Sequence, residues 1–429
     1  MNKDIKILVL SVSAWNSKVG YNTWPALLEG ADPNNVANIT LRSEIPDSNV
    51  CNNYFCISEN RVIKSIFNRN IKTGKRVEPI TVDNTNSADL KEHNNRYNKM
   101  KSHRNFTTLM VREFLWKLGK WKTKELKDFI KDFSPDVIIY SMDGYIHFNT
   151  ICKFTKRYTN AKSIGFFCDD NFTYKQSNSF GLKLLRFFQR KSLKKLVKET
   201  DAFWAITKMT KEEADEVFDV NCTVLTKPLS QLPAFVEQSV CMPIKLLYTG
   251  NLQIGRDLSL IKVVNALREI NKENIKFSVD VYTKTFLSDE IKEQIECEYC
   301  TVNPPIPQEE VLNLQKQANI LLFLEDVDGP DAQTARLSFS TKITDYLSSG
   351  KCILAVGCPD TAPMKYFLEE DSAIIATDHN SLVEKFNLIL KDQGILNEYS
   401  KKACECGLRN HKKDDVLNTF WKSIEDVLK

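Results

Sequence analysis

Five short apolar runs in the second half of the chain constrain the fold more than any other feature: IKLLYT (244–249), FSVDVYT (277–283), NILLFL (319–324), CILAV (352–356) and SAIIAT (372–377). Most lack alternation between polar and apolar residues, as expected of strands buried on both faces. Helical patterns separate them, from Arg256 to Ile270, up to about Ile295, over 307–318, and after Ser340, with a short strand, CTV, beginning at Cys300. Strand and helix alternate with short connections, the signature of right-handed crossovers and a parallel sheet covered on both sides. Further helical patterns run from Asn380 to Leu428.

The first half repeats this logic with more interruption. Strands are expected at 5–11, 36–41, 135–140, 163–168, 202–206 and 222–226. Residues 67–105 are polar, rich in Asn and nearly free of apolar clusters, and read as a mobile insertion. A length of 429 residues is too great for one average core. The expected class is therefore α/β, with two doubly wound, Rossmann-like domains facing a cleft. Residues 1–228 form the first, 229–243 a proline-bearing linker and 244–410 the second, with a terminal helix at 411–429 able to cross back.

Composition narrows the functions available. A net charge of +4 over this length argues against a dedicated nucleic-acid binder. The opening run Ile7–Leu10 is far too short to span a membrane and reads as a first buried strand, so a cytoplasmic location is expected. The twelve cysteines then read mostly as small reduced core residues. Cys297-x-x-Cys300 and Cys404-x-Cys406 do not make a four-thiolate zinc site, since the second pair has only one intervening residue and Cys300 begins a strand.

Three stretches fall at strand carboxyl ends, where open parallel sheets bind ligands. In YTGNLQIGRDLSLI, Gly250 permits a tight turn, Asn251 offers an amide, and Arg256 opens a helix where a cation can meet a phosphate. In YTKTF, Thr283 could line a base or sugar pocket. In SFSTKITDYLSSGKCILAVG, the backbone N–H groups from Ser340 through Thr341 to Ile343 would open a short helix. Lys342 would add a full charge suited to a diphosphate, and Asp345 an acceptor suited to vicinal ribose hydroxyls. For each, the plain alternative is an ordinary turn, cap or solvated charge.

Together these stretches resemble the donor domain of GT-B-fold glycosyltransferases of the bacterial polysaccharide (family 4-like) kind, and the resemblance covers most of the chain. In that family a Gly-Arg-x-x-x-x-Lys turn meets the donor diphosphate. Gly250 matches its glycine, Asn251 holds the arginine position and Arg256 the lysine position. The family also carries two glutamates eight residues apart. Asp345 stands at the second and Leu337 at the first, and Ser340-x-Lys342-x-x-Asp345 is similar to a variant in which the lysine approaches the phosphates. The resemblance implies metal-independent catalysis without a cofactor. The substrate would be a nucleotide-sugar donor, UDP- or GDP-linked.

The first domain would then bind the acceptor and supply a base. Gly20, in the loop after the first strand, is the residue expected to let backbone approach the reaction centre. Asp170 and Asp169, in FFCDDNFTY, and Asp143, in YSMDGYIH, are the candidate bases in that order, followed by His147. Residues 180–199 interleave Leu and Phe with seven Lys and Arg, a basic amphipathic pattern able to lie on an anionic membrane face. The reading is thus a glycosyltransferase acting on a glycan or polyprenyl-linked acceptor in surface polysaccharide or capsule synthesis, at the inner face of the plasma membrane. The alternatives are a nucleotide-sugar epimerase of the same fold and a catalytically inactive protein that binds glycan or a partner.

Overall fold

The computed structural model describes residues 4–15, 23–42, 46–78, 106–176, 179–329 and 331–429. The chain divides into two compact units, one of residues up to Thr226 together with Val416–Lys429, the other of Lys227–Asp415.

The first unit holds β1 (Ile7–Ser11), β2 (Val36–Thr40), β3 (Asn53–Ile57), β4 (Gly74–Val77), β5 (Val137–Ser141), β6 (Lys162–Phe167), β7 (Ala202–Ala205) and β8 (Thr223–Val224). They form one sheet in the order β4-β3-β2-β1-β5-β6-β7-β8. Every neighbouring pair is parallel except β3 with β4. Strands β1 and β2 are buried at every position, and the buried Asn38 of β2 donates to the Val9 carbonyl and to Ser11 Oγ of β1 at 3.0 Å.

Strands β3 and β4 escape the sequence reading, and β4 overturns part of it. The segment GKRV forms β4 inside the stretch expected to be a mobile insertion. It is an edge strand with two exposed cations, so it lacks an apolar signature. Arg76 pairs with Asp132 and lies 5.2 Å over the Phe129 ring, which fastens the strand to the helix Lys124–Phe133. Residues 79–105 of that insertion, and Gly20, lie outside the described residues. At the other end of the chain, the helix Lys413–Leu428 buries Val416, Phe420, Trp421 and Ile424 on one face. Phe420 packs 5.2 Å from Trp204 of β7.

The second unit holds β9 (Ile244–Thr249), β10 (Phe277–Tyr282), β11 (Cys300–Asn303), β12 (Ile320–Leu324), β13 (Cys352–Val356) and β14 (Ile374–Ala376). All are parallel, in the order β11-β10-β9-β12-β13-β14. Counted from β9 this is 3-2-1-4-5-6, the dinucleotide-fold order, with its reversal between β9 and β12. The helix Arg256–Ile270 buries Leu260, Val263, Val264 and Leu267, one stripe at helical spacing. Phe277 of β10 meets Phe386 of the helix His379–Lys391 at 4.9 Å between ring centroids. No helix among the described residues is long and apolar enough to cross a membrane.

Phe386 is fully buried whereas Leu368 is 66% exposed. Phe386→Ala should therefore destabilise the fold by about 3–5 kcal/mol, and Leu368→Ala by no more than about 0.5 kcal/mol. Urea unfolding of the two variants checks this, and equal losses would refute the packing described.

Candidate functional site

The reversal of strand order in the second unit puts a crevice beyond the carboxyl ends of β9 and β12. The residues that follow these two strands are locked together. Arg256 donates from Nε to the Leu324 carbonyl at 3.1 Å and from Nη2 to both carboxylate oxygens of Glu325 at 3.0 Å. Ser259, one turn on, donates to the Glu325 carbonyl at 2.6 Å. Asp326 accepts from the backbone N–H groups of Gly329, Asp331 and Ala332, which curls the loop after β12 into a tight knot. A Cβ on Gly255 (φ +70) would lie 2.4 Å from the Asp326 carboxyl carbon, so the turn before Arg256 can press on this knot only as glycine.

Lys342 enters the same place from the helix Lys342–Leu347. Its ammonium donates to the Tyr248 hydroxyl at 3.0 Å and stands 4.3 Å from the centroid of the same ring. Gly250 has φ +135, and a Cβ there would fall 2.5 Å from Lys342 Nζ. The lysine head therefore occupies the space that any other residue at 250 would fill. Burial, and then the nearby Arg256 charge, push its pKa down to about 7, against an opposing pull from Glu325. Without an anion beside it, this lysine is only partly charged at neutral pH.

Of the donor-side candidates, the structure brings Gly250, Arg256 and Lys342 together and gives the others local work. Asn251 Oδ1 accepts from the Thr285 hydroxyl at 2.7 Å and the Gln253 N–H at 2.8 Å, which stitches the loops after β9 and β10. Thr283 is buried, and its hydroxyl accepts from the Thr285 N–H at 3.0 Å. The short helix is not the open anion cradle expected from its sequence. Its Lys342 N–H lies 3.4 Å from Ser340 Oγ, and its Ile343 N–H donates to the Ser340 carbonyl at 3.1 Å. Thr341 uses its carbonyl to accept from the Thr344 hydroxyl at 3.0 Å. Asp345 accepts from Lys227 Nζ at 3.2 Å, so the carboxylate expected to await ribose hydroxyls already has a cation. Leu337, at the family's first acidic position, is fully buried.

Tyr248, Glu325, Asp326 and Lys227 belong to this cluster and went unread in the sequence. The acids had a signal, since Glu325-Asp326 directly follows an apolar strand beside the reversal point. Tyr248 and Lys227 had none, because their partners lie 94 and 118 residues away.

In the first unit, Asp143 and Asp169 follow the neighbouring strands β5 and β6. Burial, with the Asp169 charge second, pushes the Asp143 pKa up to about 6. Asp169 is exposed. The first-ranked base, Asp170, is sequestered: it is 1% exposed, and its two oxygens accept from the backbone N–H and the hydroxyl of Thr173. That makes it a loop fastener, because an exposed substrate hydroxyl cannot reach oxygens closed inside their own turn. His147 is buried, stacked on Trp116 at 4.5 Å, with Nδ1 3.0 Å from Glu113. The same glutamate accepts from the N–H groups of Ile146 and His147 and so caps that helix. Among the described residues no group of three His, Cys, Asp or Glu is placed to hold a metal.

No family model matches the sequence, and no curated protein matches it. Solved structures do. Sucrose-phosphate synthase from Thermosynechococcus elongatus is similar at a TM-score of 0.63 and 12% identity, covering 98% of each chain. HepE of Anabaena, solved with UDP-glucose, gives 0.60 and 9%, covering 98% of this chain and 100% of that one. The UDP-forming trehalose-phosphate synthase of Burkholderia vietnamiensis gives 0.59 and 10%, again covering 98% and 100%. The chain spans only 61% of the matched GtfA/B chain and 57% of TarM. The fold is thus that of the GT-B glycosyltransferases, two Rossmann-like domains.

The Gly250–Lys342 contact predicts a coupling. Gly250→Ala should cost about 1–3 kcal/mol, from backbone strain and the displaced ammonium, and clearly less in a Lys342→Ala background. A double-mutant cycle by urea unfolding measures the difference. Equal costs in both backgrounds would mean that the ammonium does not fill that space.

Proposed function

We propose that this protein is a glycosyltransferase that moves a sugar from a UDP-linked donor to a hydroxyl of a glycan or polyprenyl-linked acceptor. The observation that carries this reading is the meeting of Lys342, Gly250 and Arg256 at the strand-order reversal of the second unit. A diphosphate beside Lys342 would restore the proton that burial disfavours and would be held by charge-assisted hydrogen bonds. Among similarly folded proteins, HepE in complex with UDP-glucose and a UDP-forming trehalose-phosphate synthase support a UDP-sugar over other donors.

In the transfer, the bond between the anomeric carbon and the diphosphate oxygen breaks as a bond to the acceptor oxygen forms. The departing UDP keeps the electron pair, and Lys342 and Arg256 stabilise the charge that develops on it. The acceptor proton goes to Asp143, whose raised pKa suits a general base near neutrality. Burial, with the Asp169 charge second, holds that pKa up. The chemistry needs no resident cofactor or metal in this scheme.

A membrane-bound acceptor is supported by the helix Phe180–Val197. Tyr174, Phe187, Arg190, Lys191, Lys194, Lys195 and Lys198 line a concave patch on it, and Phe180 is 82% exposed. A face that mixes aromatic rings with five cations fits an anionic lipid surface. We place the protein at the inner face of the plasma membrane, in surface polysaccharide or capsule synthesis.

The test is release of UDP from a panel of UDP-sugars, with and without a lipid-linked acceptor. Acceptor-dependent release is expected. Interconversion of donors without acceptor would point to an epimerase, and binding without turnover to an inactive protein; either result contradicts the proposal. The rate should also depend on pH in a specific way. Asp143 must be ionised and Lys342 protonated in the free enzyme, so kcat/KM should rise through pH about 6 and fall above about 7. Asp143→Asn should reduce kcat by about 10²–10⁴-fold.

A further inference from the structure

Tyr248, the last residue but one of β9, is fully buried and its hydroxyl is doubly engaged. It donates to the Asn251 carbonyl at 2.6 Å and accepts from Lys342 Nζ at 3.0 Å. One oxygen thus joins the turn after β9 to the lysine that arrives from the far side of the crevice, 94 residues along the chain. The ring below adds an attractive face 4.3 Å from the ammonium. Opposite the ring, Gly250 leaves just enough room for the lysine head, since a Cβ would come within 2.5 Å of it. Floor, wall and tether are all supplied by residues 248–251.

A lysine side chain has four rotatable bonds, and without such a mould its head would sample many positions. The donated hydrogen bond to Asn251 also fixes the hydroxyl's orientation. Its lone pair then faces Nζ and favours the charged ammonium over the neutral amine. Burial pushes the hydroxyl's own pKa up, so it remains a protonated donor to Asn251 throughout the working range.

Resting on the reading of this crevice as a phosphate site, we propose that Tyr248 is the positioning residue of that site: its hydroxyl aims and charges Lys342 for the donor diphosphate. Tyr248 does not touch the donor itself. Its effect passes through Lys342 and must vanish when Lys342 is removed.

Isothermal titration calorimetry with UDP tests this in the full-length protein. The wild type, Tyr248→Phe, Lys342→Ala and the double variant are each titrated from pH 6 to 9. The charged groups that face the lysine and set its titration are Arg256, from the helix that follows β9, and Glu325, from the loop after β12. Wild-type affinity should decline as pH rises above about 7, because the neutral amine binds phosphate poorly. Tyr248→Phe keeps the ring but loses the hydroxyl. Its Kd at pH 7 should rise about tenfold, and its decline should begin at lower pH, since an acceptor of the charged form has gone. In the Lys342→Ala background the same change should leave Kd within about twofold. A variant that binds UDP as the wild type does, with the same pH profile, overturns the positioning role while leaving the phosphate site standing. An equal loss in the presence and absence of Lys342 overturns it too, by revealing a merely structural tyrosine. A wild type that binds no UDP at any pH fails at the earlier step and removes the site reading and this proposal together.

Discussion

The second unit depends on one buried contact, the Lys342 ammonium seated on Tyr248 against the bare backbone of Gly250. Desolvating a cation is expensive, and a protein tolerates it only where partners or function compensate. Here the Tyr248 hydroxyl and ring contact the ammonium and Glu325 draws its pKa up, yet burial and the Arg256 charge still push it down to about 7. An anion in the crevice would supply the remaining compensation. On the proposed reading the site is unfinished in a particular electrostatic sense, and negative charge would complete it.

Arg256 is built differently. Both carboxylate oxygens of Glu325 and a strand-end carbonyl hold its guanidinium, so it contributes shape and a fixed field as well as charge. The Asp326 knot and Gly255 keep that guanidinium at the crevice by packing the β12 loop against the turn that starts its helix. A rigid arginine beside a fixed lysine of variable charge would suit a leaving group whose charge grows during reaction. In the first unit Asp143 repeats the theme with opposite sign, a carboxylate kept near its titration point by burial and by Asp169.

Much of this was legible in the sequence, and the reasons are physical. Strands β9 and β13 are legible to the residue because parallel strands covered on both faces are mostly apolar, with Lys245 the one exposed position of β9. Gly250, Arg256 and Lys342 were legible through spacing relative to those strands. Strand β4 was not, because an antiparallel edge strand with Lys75 and Arg76 outward carries no such signature. The helix tip at Ser340 was misjudged because a hydroxyl beside a helix start can serve a ligand or its own backbone, and here Ser340 serves the backbone. Asp170 and Asp169 are neighbours in sequence with opposite fates, one locked by Thr173 and one exposed, which only the loop's conformation decides. Lys227 and Tyr248 acquire their roles from contacts with residues far along the chain, beyond the reach of any local pattern.

Nitrogen-15 NMR of the Lys342 side chain, titrated with and without UDP, bears most directly on the central contact. The Lys342 ammonium is expected to lose its proton at a pH of about 7 in the free protein and to hold it well above that once UDP is bound. A lysine that titrates at its ordinary value in both states, unmoved by the nucleotide, would contradict that expectation.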